Sequence, residues 1–359
     1  MGYKVLYLED DLPDTIKTRM EEEGIEVVHV NPKDMAFEKT LEIIDNHKAD
    51  LLLMDFRLNA GLSRFNAPPF AQFYRSQTIG GFESIPIVII SSEENIRDYY
   101  GDYTSFDLFD LAVDKGTFLS KKEKYCNLLK ELIDAYKFLN KEMKERGEIE
   151  LTIFNIPSEL EFRIDRRFMD IFLLDKYQTN ACMMTGLILS SLVKPVGMLI
   201  GEDILAARLG IKKTSPQWPN LLKHLKKFKY SGLYGKTYNR WWAQGIEIWW
   251  EQNFPGSLSL RRLSADDRCR LINEKYSLNL VSPDHKELSL GRKYWTICCG
   301  DSSPLDSTDG YEIVKDFTQS PWVEPSFYSF DYLVNNADKA MLSKLKENES
   351  TRYMRKVKE

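Results

Sequence analysis

One short apolar run that ends in an acidic residue constrains the fold of this chain more than any other stretch. Residues 51–54 read Leu-Leu-Leu-Met, with Asp50 before them and Asp55 after them. Such a run is typical of a strand buried on both faces of a parallel sheet. Asp55 is therefore predicted at the carboxyl edge of that sheet, where ligands and chemistry collect in open α/β folds.

Three further apolar runs lead into polar side chains that would share this edge. In chain order they are residues 4–8 before Glu9, Asp10 and Asp11, residues 86–90 before Ser91 and Ser92, and residues 111–113 before Asp114 and Lys115. Segments with helical spacing separate the runs, which is the pattern of βαβ units. If the sheet is doubly wound, carboxylates, a hydroxyl and an ammonium meet in one crevice.

These side chains form a chemically consistent set. Glu9, Asp10 and Asp55 offer the hard oxygen ligands that Mg²⁺ prefers. With the cation in place, Asp55 can act as a carboxylate nucleophile towards a phosphoryl group. Ser91 and Lys115 can then bind the phosphoryl oxygens.

On these residues the first third of the chain resembles the receiver domain of two-component response regulators. Residues 5–11, Val-Leu-Tyr-Leu-Glu-Asp-Asp, resemble the family's first strand and acidic pair. Asp55 resembles its phosphoacceptor, Ser91 its switch hydroxyl and Lys115 its invariant lysine. The resemblance implies a five-stranded flavodoxin-like (βα)5 fold over residues 1–120, Mg²⁺ dependence, and phosphoryl transfer from a sensor histidine kinase or a phosphotransfer protein.

The sequence departs from the family pattern at two positions beside the proposed site. Gly116 follows Lys115, where the family usually has proline, and Ala112 stands where an aromatic residue normally rotates with the switch hydroxyl. We expect phosphorylation to be retained and its coupling to the output to be altered. The segment between Asp55 and Ser91 is also long and rich in glycine and proline, which predicts an enlarged loop near the site.

Composition limits the class of protein. The chain has 359 residues, 43% of them hydrophobic and 29% charged, which is ordinary for a soluble protein of two or three domains. Neither a leader sequence nor an apolar run of about 18 residues occurs, so a cytoplasmic protein with no membrane contact is predicted. The five cysteines lack the spacing of a zinc site and are predicted to be reduced thiols.

Residues 121–148 carry apolar side chains at a period near 3.6, which predicts one long helix. This helix is interpreted as a connector that carries a signal to residues 149–359 or pairs with a second copy in a homodimer. Packing of the helix on its own C-terminal domain is an equal alternative. Residues 149–359 are predicted to form a mainly α (α+β) output domain.

A helix-turn-helix is the candidate motif of this output domain, near residues 201–230. Residues 205–211 read Leu-Ala-Ala-Arg-Leu-Gly-Ile, a pattern common where the first helix of such a motif ends, with residues 219–228 as the second helix. Against it, the connection from Gly210 to Pro219 is longer than the usual turn.

The same stretch is basic. Between Ile204 and Ile246 there are nine basic residues, no acidic ones, and interleaved tyrosines and tryptophans that could stack on bases. The candidate nucleic-acid contacts are Lys212, Lys213, Lys223, Lys226, Lys227 and Lys229. A docking surface for an acidic protein explains the same charge.

Two functions therefore remain open. The first is a response regulator phosphorylated on Asp55, whose output domain binds DNA. The second is an adaptor or phosphate sink that acts through protein contacts, for example in a stress or phage-defence pathway. Residues 149–359 show no nucleophile-base pair, phosphate loop or metal cluster, so no enzymatic activity is predicted beyond self-phosphorylation from a phosphodonor and autodephosphorylation.

Overall fold

The chain forms two compact units. The computed structural model describes residues 2–12, 14–32, 35–56, 58, 67–78, 83–92, 94, 108–314 and 319–358. The first unit comprises residues 1–153 with 170–189, and the second comprises residues 154–169 with 190–359. The chain thus passes into the second unit, returns once, and leaves again.

A five-stranded parallel sheet forms the centre of the first unit. Its strands, in chain order, are β1 (Tyr3–Leu8), β2 (Ile25–Val30), β3 (Leu51–Met54), β4 (Ile87–Ser91) and β5 (Leu111–Asp114). They pair in the order β2-β1-β3-β4-β5. This is the flavodoxin-like order of doubly wound sheets, so the predicted fold is confirmed.

The central strands are apolar because helices cover both faces of the sheet. Every residue of β3 and the last four residues of β1 are fully buried. The helices that cover the sheet are Asp14–Glu22, Phe37–His47, Ala67–Thr78, Lys115–Ser120 and Lys122–Arg146. Residues 57, 59–66 and 79–82 after β3, and most of the segment after β4, lie outside the described residues. The helix Ala67–Thr78 occupies the middle of the predicted enlarged loop.

The long helix runs from Lys122 to Arg146, close to the predicted 121–148, and ends at Gly147 in a left-handed conformation. Its periodic apolar face, which includes Leu129, Leu132 and Ile133, is buried within the first unit. The periodicity is therefore accounted for by core packing in this unit. Because this face is buried, it is not exposed for pairing with a second copy.

Polar contacts hold the second half of the long helix at the amino end of the sheet. The Tyr136 hydroxyl donates to Asp110 Oδ1 at 2.6 Å, and Arg75 Nη2 donates to Asp110 Oδ2 at 3.0 Å. Asn140 donates to the backbone carbonyl of Ser84, just before β4. These contacts fix the helix on the edge opposite to Asp55.

The second unit is mainly helical with short antiparallel strand pairs, as predicted for residues 149–359. Its strands are β6 (Leu199–Gly201) with β7 (Arg240–Trp242), β8 (Thr296–Ile297) with β9 (Pro304–Leu305), and β10 (Tyr311–Glu312) with β11 (Phe327–Tyr328). Its α-helices are Glu202–Leu209, Trp218–His224, Ala243–Asn253, Ala265–Tyr276, Phe330–Asn336, Lys339–Ser343 and Glu347–Lys356. The helix Arg166–Phe172 begins in the second unit and ends in the first. The helices Asp175–Gln178 and Ala181–Ile188 belong to the first unit.

Gly210 ends the first helix of the candidate helix-turn-helix. Its φ of +68° is left-handed, and a Cβ there would lie 2.6 Å from Cα of Ala265. The glycine is thus required both by the turn and by the close approach of the Ala265–Tyr276 helix. The next helix, Trp218–His224, is shorter than predicted, and a 3-10 turn at Lys226–Phe228 follows it.

Candidate functional site

Four strand ends bring the predicted site residues together at the carboxyl edge of the first unit's sheet. Glu9 follows β1, Asp55 follows β3, Ser91 ends β4, and Lys115 follows β5. The Asp55 amide donates to the Leu8 carbonyl at 3.0 Å, which extends the β1–β3 ladder by one residue. Backbone pairing therefore places Asp55 beside the start of the acidic stretch.

The Asp55 carboxylate is buried and held at both oxygens. Ser91 Oγ donates to Oδ1 at 2.6 Å, and Lys115 Nζ lies 2.7 Å from Oδ2. Asp55 retains only 6% of its exposure. A hydroxyl and an ammonium thus contact the carboxylate that the sequence nominates as nucleophile.

Glu9 shares the same lysine. Lys115 Nζ lies 2.6 Å from Glu9 Oε2, so one ammonium bridges two buried carboxylates. The Tyr7 hydroxyl donates to the same Oε2 atom at 2.8 Å. Since two carboxylates this close repel each other, the cation between them stabilises the arrangement.

The electrostatics follow from burial and charge. Burial and the nearby Asp55 charge raise the pKa of Glu9, against the opposing effect of Lys115 and Tyr7. Burial alone would lower the pKa of Lys115, but its hydrogen bonds to Asp55 and Glu9 outweigh this and raise it. The pKa of Tyr7 is raised by burial and by the charge of Glu9. Lys115 therefore stays charged at neutral pH.

An acidic cluster suited to a divalent cation lies beside this bridge. Glu9, Asp10 and Asp11 each offer a carboxylate oxygen, and these oxygens lie within 4.8 Å of one another. Hard oxygen donors of this kind fit Mg²⁺, which usually takes one or two carboxylates and keeps waters. Asp11 joins the predicted ligands Glu9 and Asp10 in this cluster, whereas the predicted ligand Asp55 faces Ser91 and Lys115.

Both sequence departures have a local structural counterpart. Lys115 begins the Lys115–Ser120 helix, and the Asp114 side chain caps it by accepting from the Thr117 amide at 2.8 Å. Hydrogen bonds from the Thr117 side chain and from its amide lower the pKa of Asp114. A Cβ at position 116 would lie 3.3 Å from Asp114 Oδ1, so glycine leaves room for the cap. Ala112 is half-buried against the core of the sheet.

Three residues that support the site were not predicted. Tyr7 contacts Glu9 as described above, one His29 ring nitrogen lies 2.8 Å from the Glu9 carbonyl oxygen, and Asn31 donates to the Asp10 carbonyl. The alternation of side chains along a strand could have indicated Tyr7, because residues two apart lie on one face.

Only part of the basic stretch lies on the surface of the second unit. Tyr230, Tyr234, Trp241 and Trp242 are at most 2% exposed, so these aromatics are core residues and cannot stack on bases. The expectation of base stacking is wrong for these four because they pack in the interior of the second unit. Tyr238 is half-buried.

The six candidate lysines differ in their surroundings. Lys213, Lys223, Lys226, Lys227 and Lys229 are exposed, and Lys212 is half-buried. Ion pairs join Lys212 to Asp284, Lys213 to Asp203 and Lys227 to Glu159. Lys229 lies over the Trp241 ring. Much of this positive charge is therefore already compensated within the second unit.

The remaining polar features have structural explanations. No disulfide joins any of the five cysteines, so they are thiols, as predicted. Asp301 is bound by Lys286 and Ser303, and Asp309 accepts from the Leu290 and Gly291 amides. None of the helices in the described part of the chain combines the length and apolar character needed to cross a bilayer.

Comparisons with known proteins give a likeness of fold. No protein-family model matches the sequence. No curated protein matches it. Three solved structures illustrate the likeness. They are a response regulator receiver domain protein from Clostridium thermocellum (14% identity, 38% of this chain, 98% of that chain, TM-score 0.29), the non-phosphorylated HemR receiver domain from Leptospira biflexa (19%, 34%, 94%, 0.25), and a DNA-binding response regulator of the LuxR family from Staphylococcus aureus (11%, 36%, 98%, 0.27).

Proposed function

We propose that this protein is a response regulator that is phosphorylated on Asp55 and relays the change to its second unit. The observation that carries the proposal is the Asp55 carboxylate itself. It is buried at the end of a central strand, with Ser91 at 2.6 Å, Lys115 at 2.7 Å and an acidic cluster beside it. A sensor histidine kinase or a phosphotransfer protein would supply the phosphoryl group in the cytoplasm.

Each residue has a role in this chemistry. The Asp55 carboxylate attacks the phosphoryl group, and the leaving group departs with the electron pair of the broken bond. Lys115 and Ser91 already contact the Asp55 oxygens, so they can turn to the oxygens of the product. Glu9, Asp10 and Asp11 would hold Mg²⁺ beside Asp55, and the cation would neutralise charge between the phosphoryl oxygens and the carboxylates.

The test is phosphorylation by a small phosphodonor. Incubation with acetyl phosphate and Mg²⁺ should add one phosphoryl group to the intact protein, measured by mass spectrometry. Asp55→Asn should abolish the gain, whereas Asp50→Asn, at the other end of the same strand, should keep it. A mass gain that persists in Asp55→Asn would sink the assignment.

DNA binding is the first candidate for the output. It is favoured by the exposed lysines near Trp218–His224, of which Lys223 and Lys226 have no acidic partner among the described residues. If these two contact phosphates, Lys223→Ala and Lys226→Ala should each weaken binding and reduce the salt dependence by about one counterion. Lys339→Ala, on an exposed helix elsewhere in this unit, is the control. Binding is measured on labelled genomic fragments across a salt series, with and without beryllofluoride and Mg²⁺.

Protein docking is the second candidate. It is favoured by the four buried aromatics and by the three lysines that already have acidic partners. On this alternative the same fragments remain unbound in both states, and the receiver acts as an adaptor or phosphate sink.

A further inference from the structure

Tyr7 is the one fully buried side chain whose polar group reaches into the proposed site from within β1. Its ring has no solvent exposure, and its hydroxyl donates to Glu9 Oε2 at 2.8 Å. Tyr7 and Glu9 are two residues apart, so their side chains point to the same side of the sheet. The donor and the acceptor are thus fixed by the same strand.

Glu9 has two side-chain donors, and both use the same oxygen. Oε2 accepts from Tyr7 and from Lys115, while no contact within the described residues uses Oε1. The acidic cluster needs one oxygen from Glu9, together with one each from Asp10 and Asp11. Because Tyr7 and Lys115 both bind Oε2, Oε1 remains available to a cation.

The two donors are not equivalent. Lys115 also contacts Asp55, and its side chain is 35% exposed on a flexible stem. If Lys115 turns to a phosphoryl group on Asp55, as the proposed function requires, Tyr7 remains as the donor to Glu9. The Tyr7 ring is buried on β1, so it cannot move with Lys115 towards Asp55.

We propose that Tyr7 is a positioning residue for Mg²⁺, whose hydroxyl fixes the Glu9 carboxylate so that Oε1 stays available to a cation held with Asp10 and Asp11. This inference rests on the proposed function and names a residue that acts through Glu9. Partners of this kind orient ligands, and their loss typically weakens metal binding about 10–100-fold. A neutral hydroxyl that supports a single ligand belongs at the low end of that range.

The experiment is Mg²⁺ titration of the full-length protein by isothermal calorimetry, without any phosphodonor. Tyr7→Phe keeps the ring and removes only the hydroxyl, and we expect about a tenfold loss of Mg²⁺ affinity. Tyr3→Phe is the matched control, because Tyr3 lies on the same strand and donates to Asp134 at the opposite end. Wild-type affinity in Tyr7→Phe would overturn the inference.

A double-mutant cycle separates positioning from general loosening of the fold. In a Glu9→Gln background, Tyr7→Phe should cause no further loss of Mg²⁺ affinity, because the ligand on which it acts has gone. An equal further loss would overturn the inference. If Tyr7→Phe lacks a cooperative unfolding transition, Glu9→Asp is the second variant. It withdraws the carboxylate from the hydroxyl, and unchanged affinity there would equally overturn the inference.

Failure of the proposed function is distinguishable from failure of this inference. A wild-type protein that neither binds Mg²⁺ nor accepts a phosphoryl group overturns the function and the inference together. A wild-type protein that does both, with Tyr7→Phe unchanged, overturns only the role of Tyr7.

Discussion

The Lys115 ammonium lies 2.7 Å from Asp55 Oδ2 and also contacts Glu9, so it is the cation between two buried acids. Lys115→Met should leave these carboxylates to repel each other. We expect a loss of roughly 2 kcal/mol in the free energy of unfolding at pH 7, less than for a fully buried pair because Lys115 is partly exposed. Urea unfolding measures the loss, and added Mg²⁺ should restore part of it.

Lys122→Met is the control for this prediction. Lys122 pairs with Glu22 at 2.7 Å, but on the surface, so its removal should change the stability little. Equal stability of Lys115→Met and the wild-type protein at pH 7 would contradict the stabilising role of the bridge.

The buried contact among Arg75, Asp110 and Tyr136 makes a second prediction. Asp110→Asn should leave the Arg75 charge without its carboxylate, at a cost of about 3–5 kcal/mol. Glu83→Gln, which breaks the exposed Lys144–Glu83 pair at 3.7 Å, should cost less than about 0.5 kcal/mol. Thermal unfolding compares the two variants, and similar losses would argue against a structural role for the buried contact.

The lowered pKa of Asp301 predicts that the protein loses stability in acid. Burial would raise its pKa, but Lys286 and Ser303 outweigh burial and lower it from 3.8 to about 2. Because the folded pKa lies below the unfolded one, Asp301 contributes stability above pH 3.8 that is lost as the pH falls through about 2. Asp301→Asn should therefore be less stable than wild type at pH 7, by roughly 1 kcal/mol after solvent screening. The difference should vanish in strong acid.

Asp284→Asn is the matched control for Asp301. Asp284 pairs with Lys212 at 2.6 Å, the same distance as Asp301 with Lys286, but its side chain is 88% exposed. We expect little change in stability at pH 7 for this variant. A pH-independent loss in Asp301→Asn would exclude ionisation as the cause.

Gly210 and Gly256 form a natural pair for a fourth prediction. Both have left-handed φ values, +68° and +83°, but an added Cβ would meet the Ala265 backbone only at Gly210 and nothing within 4 Å at Gly256. Gly256→Ala should cost about 1–2 kcal/mol from the left-handed conformation alone. Gly210→Ala should cost about 2–5 kcal/mol because steric overlap is added. Equal losses in urea unfolding would show that the helix can move aside.

Most of the sheet was predictable because β1, β3, β4 and β5 each contain a local apolar run. The predicted run 51–54 is β3 itself. The run 4–8 differs from β1 by one residue at its start, and the run 86–90 differs from β4 by one residue at each end. Parallel pairing then brings the strand ends together regardless of loop structure. The proximity of Asp55, Ser91 and Lys115 therefore follows from strand position alone.

The supporting contacts were not predictable in the same way. Tyr7 lies inside an apolar run, so its hydroxyl looks like part of the core until its direction is known. Arg75, Asp110 and Tyr136 are far apart in sequence, and no local pattern relates them. In the second unit, strands of two or three residues are too short to show periodicity. Basic residues such as Arg240, next to Trp241 and Trp242, made a buried segment look like a surface.

Strand β5 joins the two polar regions of the first unit. Asp110 lies just before it, in contact with Arg75 and Tyr136, and Lys115 lies just after it, in contact with Asp55 and Glu9. Its four residues span about 13 Å. A displacement of Lys115 along the strand axis is therefore opposed at the far end by Asp110. Through Lys115 at one end and Asp110 at the other, β5 mechanically couples Asp55 to the second half of the long helix.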